Sequence, residues 1–374
     1  MAAKKKNIIS KASPHTIKKF ELIEEYIKSW AQKLLLTESC NGLIFIDCMC
    51  NSGVYTDDAG QLVKGTAVRV SEALREASRS YTEKNIHIYL NDKDKARVDE
   101  LKKHLPQDER NFKIVTSCGD AHELLRTIGP QLYGTGHLHY FLLYDPYDAT
   151  IDWEALLPFF RNWGEVMINH MVSDPVRAIT SAKKKTTKAK YENTYLEDFE
   201  KLVPYGSDKK AYEARVEEII NSLKGTRRYY VSAFPFYNTQ NSLVYNLIHC
   251  TSNKEGFKLY KKSAWKVFGA QSSTKHSVEN RQLPFNLFGE IAEEEDESCL
   301  HVIDIAKYLQ RSFRGRKQVS LDEMWELLDN HPIFPSKGFR NEVKSDLTDF
   351  FGAKIEQIVN PDTGKKETVI SFSS

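Results

Sequence analysis

The chain lacks any long apolar run. Nowhere in its 374 residues does a hydrophobic stretch approach the ~18 residues that a membrane-spanning helix requires. The basic start, Met1 to Lys6, is not followed by the apolar segment of a secretion signal, so the expected compartment is the cytoplasm. Cysteine is scarce as well. Cys40, Cys48, Cys50, Cys118, Cys250 and Cys299 form no CxxC pair and no Cys/His metal spacing, and the chain is too large to depend on a disulfide framework. They read as reduced, mostly buried side chains, with no metal site expected. Charge of one sign is also missing: 53 Lys and Arg against 51 Asp and Glu leave a net +2, so only local clusters can speak of an acidic partner. What remains is a globular composition, 41% hydrophobic and 28% charged, at a length sufficient for two domains.

The most informative stretch is LIFIDCMCNSGVY, Leu43 to Tyr55. Its continuous apolar run predicts a strand buried on both faces of a parallel sheet, and Asp47 falls where that strand opens into a turn containing Gly53. The pattern then repeats. NIHIYL, Asn85 to Leu90, ends at Asp92; Phe112 to Thr116 runs into Asp120; His139 to Tyr144 leads into Asp145-Pro146-Tyr147-Asp148. Helices are predicted between them at Thr66 to Ala77, Ala96 to His104 and His122 to Ile128, giving an α/β chain with a doubly wound, mostly parallel sheet. One acid after a strand is commonplace as a helix cap or turn residue. Four in succession, in a parallel sheet, would line a single crevice at the carboxyl edge, where such sheets bind their ligands. Asp92 is placed to accept hydrogen bonds from the hydroxyls of a ribose.

Around this unit, a flexible basic tail is expected over residues 1–12, and Ser13-Pro14 opens a helix to about Leu36. Lys18 and Lys19 in its opening turn fit either a solvated face or a phosphate contact. Between residues 173 and 201 a polar segment rich in lysine, including Lys183, Lys184 and Lys185, suggests an insertion or loop over the crevice edge, either solvated or meeting nucleic-acid phosphates. Arg227 and Arg228 precede Tyr229 to Phe234, which with Leu243 to His249 forms an antiparallel closing pair. Residues 13–289 thus make the first domain, 290–298 an acidic linker, and 299–374 a second domain. There the pattern predicts three helices and a hairpin, the third helix from about Ser336 burying Phe339, Val343, Leu347 and Phe350. That order resembles a winged helix, with Lys337, Arg340 and Lys344 opposite the apolar stripe and Lys365 on the wing, facing nucleic acid or a protein.

The motifs FIDCMCNSG (45 to 53), LND (90 to 92), CGD (118 to 120), YDPY (144 to 147) and INH (168 to 170), with His15-Thr16 and the lysines ahead of the first helix, resemble the class I S-adenosylmethionine-dependent methyltransferases. More narrowly, they resemble the three-Cys-motif partner proteins. The resemblance spans roughly residues 13 to 270. It implies a Rossmann-like sheet with S-adenosylmethionine as cofactor, held by Asp47, Cys48, Asn51 and Gly53 at the methionine end, Asp92 at the ribose and Asp120 at the adenine. It implies that Asp145, Pro146 and Tyr147 act on an amino group of a nucleic-acid base. Two residues depart from the pattern: Asn51 stands where a glycine is usual, and Tyr147 follows Pro146 with no second proline. The alternative is a non-catalytic scaffolding or nucleic-acid-binding partner of a radical-S-adenosylmethionine-like protein with three cysteines; methylation of a protein or small molecule is a third possibility.

Overall fold

The computed structural model describes residues 7–132, 137–161, 163–179, 183–225, 229–276, 298–359 and 364–373. The chain divides into two compact units, Met1–Tyr260 and Lys261–Ser374. Residues 290–297 of the expected acidic linker, Arg227 and Arg228, and most of the expected turn at 360–363 lie outside the described residues.

Unit 1 is a mixed α/β layer structure around a seven-stranded, mostly parallel sheet. In chain order its elements are β1 (Ser10–Lys11), α1 (Pro14–Leu35), β2 (Gly42–Asp47), β3 (Val54–Thr56), β4 (Leu62–Lys64), α2 (Thr66–Ser80), β5 (Asn85–Asp92), α3 (Lys95–Lys102), β6 (Phe112–Cys118), α4 (Ala121–Gln131), β7 (Leu138–Tyr144), α5 (Trp153–Leu156) and β8 (Gly164–His170). There follow α6 (Ser173–Ala178), α7 (Lys185–Tyr195), α8 (Phe199–Leu202), α9 (Lys209–Leu223), β9 (Tyr230–Tyr237), β10 (Leu243–Thr251) and α10 (Lys254–Phe268), inside which the boundary between the units falls. The sheet order is β6-β5-β2-β7-β8-β10-β9. Strands β6 to β8 are all parallel, and β10 inserts antiparallel between β8 and β9. The four acid-bearing strands therefore lie side by side, and their acids follow the spatial order Asp120, Asp92, Asp47, Asp145.

Both faces of the sheet are covered, which is why β2 is buried along its whole length. On one face Phe45 stacks on Phe141, which meets Tyr26 and Trp30 of α1. On the other, Ile44, Ile46, Leu142 and Ile168 join a core with Leu125 of α4 and Tyr212 and Val216 of α9.

Ser10 and Lys11 belong to no flexible tail: they pair in parallel with β3, and Ala12 is buried with its N–H donated to Thr56 O at 2.8 Å. Of the two forms expected for the lysine-rich segment, an open loop does not fit: most of its described residues form the helices α6 to α8. Tyr191, Tyr195, Phe199 and Leu202 recur at intervals of three or four and bury themselves in the core, an apolar periodicity masked by the lysines that precede it.

Unit 2 continues with α11 (Val302–Ser312), β11 (Val319–Ser320), α12 (Leu321–Asn330), α13 (Arg340–Asp349), β12 (Lys354–Val359) and β13 (Lys366–Ser371), its sheet ordered β11-β13-β12. The three helices and the hairpin are present, with β11 as an additional edge strand. Ile305, Leu309, Trp325, Leu328, Val343, Leu347 and Ile370 form its interior. Lys261 is fully buried, and its ammonium donates to the Leu328, Asp329 and His331 carbonyls at 2.8, 3.3 and 2.6 Å, closing the carboxyl end of α12. Burial and this ammonium together push His331 down to about 4. Phe350 corrects the apolar stripe: α13 ends at Asp349, Phe350 leaves the helical face as its C-cap, and the ring is 60% exposed.

Candidate functional site

The turn after β2 is held by backbone chemistry that its residues make possible. Asn51 takes φ 57°, a left-handed conformation that asparagine tolerates better than most non-glycine residues. Gly53 follows at φ 70°, and a Cβ there would lie 2.3 Å from Leu101 Cδ1. The turn is tied to the next strand: Asn51 N–H donates to Asp92 Oδ2 at 3.0 Å, and Cys50 N–H donates to Asn91 O at 2.8 Å. Cys48 and Cys50 are both buried.

Asp92 is itself buried, and three donors converge on it. Asp94 N–H reaches Oδ1 at 2.9 Å, while Oδ2 accepts from Asn51 N–H and from the Tyr147 hydroxyl at 3.1 Å. The Tyr147 hydroxyl also accepts from Arg97 Nη1, and the Arg97 guanidinium lies over its ring, 5.0 Å from the centroid. Burial and the Asp92 carboxylate push the Tyr147 phenol well up. The side chain is nonetheless 49% exposed.

Asp120 caps α4, its Oδ1 accepting the His122 and Glu123 N–H groups at 2.9 and 3.1 Å. Those bonds hold the carboxyl below its usual range. Between Asp120 and Asp92 lies a cavity of about 170 Å³, lined also by Cys48, Lys93, Gly119, His122, Tyr144 and Tyr147. His122 Nε2 lies 2.9 Å from the Tyr144 hydroxyl, which donates to Thr150 O at 3.1 Å.

At the other end of the row Asp145 is gripped from two sides. Lys19 Nζ donates to Oδ2 at 2.5 Å and Asn169 Nδ2 to Oδ1 at 2.6 Å. Asn169 is buried, and among the described residues its Oδ1 has no hydrogen-bond partner; the Asp145 carboxylate fixes the amide this way round. Lys19 is buried too, and it lies 5.2 Å from the centroid of the Tyr245 ring. Asp47 sits beside the pair. Burial, and secondarily the Asp145 charge, push its carboxyl up to about 8, with Lys19 and the Met49 N–H pulling the other way. Buried Asp47 and the part-buried Lys19–Asp145 pair thus crowd two carboxyls and one ammonium together, which favours a proton on Asp47.

The structure brings together Asp47, Cys48, Asn51, Gly53, Asp92, Asp120, Asp145, Pro146 and Tyr147 along one edge of unit 1. Lys190 on α7 pairs with Asp148 at 2.9 Å, so the lysine-rich helices dock against this same loop, while Lys183, Lys184 and Lys185 at the start of α7 are exposed. Lys337, Arg340, Lys344 and Lys365 all lie in unit 2. Arg340 and Lys365 are exposed, and α13 also carries Glu342, Asp346 and Asp349. Asp346 is pushed up by burial and by those two acids.

Sequence reasoning did not find the Lys19–Asp145 pair, the Arg97–Tyr147 contact or the Tyr144–His122 wall. For Lys19 a signal existed: Lys19, Ile23, Tyr26 and Trp30 fall on one helical stripe, and a lysine on an apolar stripe is buried against a partner. Arg97 and Tyr147 are 50 residues apart, and nothing local pairs them.

No protein-family model matches the chain, and no curated protein matches it. Solved structures do match. A Staphylococcus aureus protein provisionally named a caffeoyl-CoA O-methyltransferase shares 11% identity over 62% of this chain and 83% of its own, at a TM-score of 0.31. A loganic acid methyltransferase with SAH shares 11% over 68% and 83%, at 0.29. A SAM-dependent methyltransferase from Anabaena variabilis ATCC 29413 shares 9% over 66% and 99%, at 0.25. Likeness this distant carries no argument about chemistry, which has to come from the sheet edge itself.

Proposed function

We propose that unit 1 is an S-adenosylmethionine-dependent methyltransferase acting on an amino group of a nucleic-acid base. The observation that carries this is the row Asp120, Asp92, Asp47, Asp145 on four adjacent parallel strands, with a cavity opening between its first two members. The residues suit the cofactor in kind: Asp92 for the ribose hydroxyls, Asp120 for the adenine amino group, and the Asp47–Gly53 turn for the methionine end. When bound, S-adenosylmethionine supplies an electrophilic methyl group. The chain's own part is positioning. Lys19 and Asn169 occupy one lone pair on each Asp145 oxygen and lock the carboxylate, leaving the other lone pairs to accept the N–H groups of a target amine and raise its nucleophilicity. The Pro146 carbonyl adds an acceptor and the Tyr147 ring a stacking surface.

For unit 2 we propose a winged helix that grips nucleic acid through Lys337, Arg340, Lys344 and Lys365, with Lys183, Lys184 and Lys185 of unit 1 as further phosphate contacts. A second reading has its own support. Tyr147 on Asp92, and Lys19 on Asp145, already engage from within the protein the two carboxylates that a cofactor and a target would use. That suits a non-catalytic partner of a three-cysteine, radical-S-adenosylmethionine-like protein.

Calorimetric titration with S-adenosylmethionine and S-adenosylhomocysteine separates the two, since no binding at millimolar ligand would refute the enzyme. Given binding, labelled-methyl transfer to DNA, RNA and protein pools assigns the substrate, and Asp145→Ala should abolish transfer while cofactor binding persists.

A further inference from the structure

Asp92 is more fully engaged than a ribose acceptor can be. A carboxylate offers about four lone-pair positions. In Asp92 three are used, by Asp94 N–H, Asn51 N–H and the Tyr147 hydroxyl. A ribose brings two hydroxyls, so one of the present donors must leave. The two backbone donors are fixed, because Asn51 is built into the turn after β2 and the residue bonded through Asp94 N–H is the N-cap of α3. Tyr147 is the one side-chain donor of the three and is 49% exposed.

We infer that the Tyr147 hydroxyl is the competitive occupant of the ribose acceptor, so that cofactor binding and release of Tyr147 toward the target are one event. This rests on the methyltransferase proposal and adds an order of binding to it. While Arg97 and Asp92 hold the hydroxyl, the ring cannot turn to stack on a base. Once ribose hydroxyls take the carboxylate, the hydroxyl is displaced, and the aromatic surface becomes available only when the methyl donor is in place. The cost of displacing Tyr147 is drawn from cofactor affinity, as for any ligand whose competent state must first be populated.

The test is calorimetric, on the full chain, with adenosine, 2′,3′-dideoxyadenosine and S-adenosylhomocysteine titrated into wild type, Tyr147→Phe and Arg97→Ala. Removing a hydrogen bond to a charged acceptor should tighten adenosine and S-adenosylhomocysteine about tenfold in Tyr147→Phe. A smaller gain is expected in Arg97→Ala, which only loosens the hydroxyl. Dideoxyadenosine lacks the 2′- and 3′-hydroxyls that would compete for the carboxylate and should bind all three proteins alike. Equal adenosine affinity in wild type and Tyr147→Phe would overturn the inference and leave the methyltransferase proposal standing. A parallel loss for all three ligands in Tyr147→Phe would assign the tyrosine a merely structural role and likewise overturn it. If none of the ligands binds any of the proteins, the methyltransferase proposal falls and this inference with it.

Discussion

Replacing Asp47 by Asn should make the protein markedly less sensitive to alkaline pH. Asp47 is buried, and its carboxyl is pushed up to about 8, whereas in the unfolded chain it ionises near 3.8. Between those values the folded protein holds a proton that the unfolded chain has released, so this group's contribution to stability falls as pH rises and is lost through the folded value. At about 1.4 kcal/mol per pH unit, flattening near the folded value, the loss between about pH 5.5 and about pH 8 comes to roughly 3 kcal/mol. Asparagine resembles the protonated acid in shape, keeps an oxygen for the Met49 N–H and cannot ionise. Urea unfolding at the two pH values is the assay. The wild-type midpoint should drop by an amount on the order of 1 M that the variant does not share. Equal pH dependence in the two proteins would show that Asp47 ionises normally and that the Lys19–Asp145 pair does not crowd it.

Other perturbations have equally definite outcomes. Lys261→Met strips three carbonyls at the end of α12 of their donor, and should cost about 3 kcal/mol, read as a lower melting temperature and faster amide exchange in that helix. Gly53→Ala combines a positive φ with a 2.3 Å approach to Leu101, and should cost about 2 kcal/mol or more in urea unfolding. Asp120→Ala removes the cap of α4, about 1 kcal/mol near neutral pH. Because this carboxyl is held below its usual range, the difference from wild type should shrink as pH falls through that lowered value. Changing Lys183, Lys184 and Lys185 together to Ala should reduce the slope of log affinity against log salt for nucleic acid by about three, measured by anisotropy; an unchanged slope would remove α7 from the binding surface.

The sheet was legible because β2 and β7, in its interior, leave near-continuous apolar runs, and each of the four parallel strands β2, β5, β6 and β7 ends in an acid or is followed by one. That pattern placed Asp47, Asp92, Asp120 and Asp145 together without any knowledge of register. Asn51 was legible in the same way, since its side chain bears directly on the backbone angle it adopts. What failed to show was pairing at long range. Lys19 meets Asp145 across 126 residues, and its burial depends on how α1 lies over the sheet. The helices α6 to α8 were hidden because their lysines dominate the composition while the residues that fold them, Tyr191, Tyr195 and Phe199, are few and spaced. Phe350 escapes the apolar stripe because the helical periodicity in the sequence continues past Asp349, where α13 ends.

The distribution of thiols gives the molecule a built-in reporter. Five of the six cysteines are buried, and Cys118, the last residue of β6, is exposed beside Gly119 and Asp120 at the cavity wall. A maleimide dye added to the native protein should therefore couple at one place, next to the proposed adenine site. Quenching or shift of that dye would follow nucleoside entry in real time, and uptake of further dye by the other five thiols would time the opening of the core.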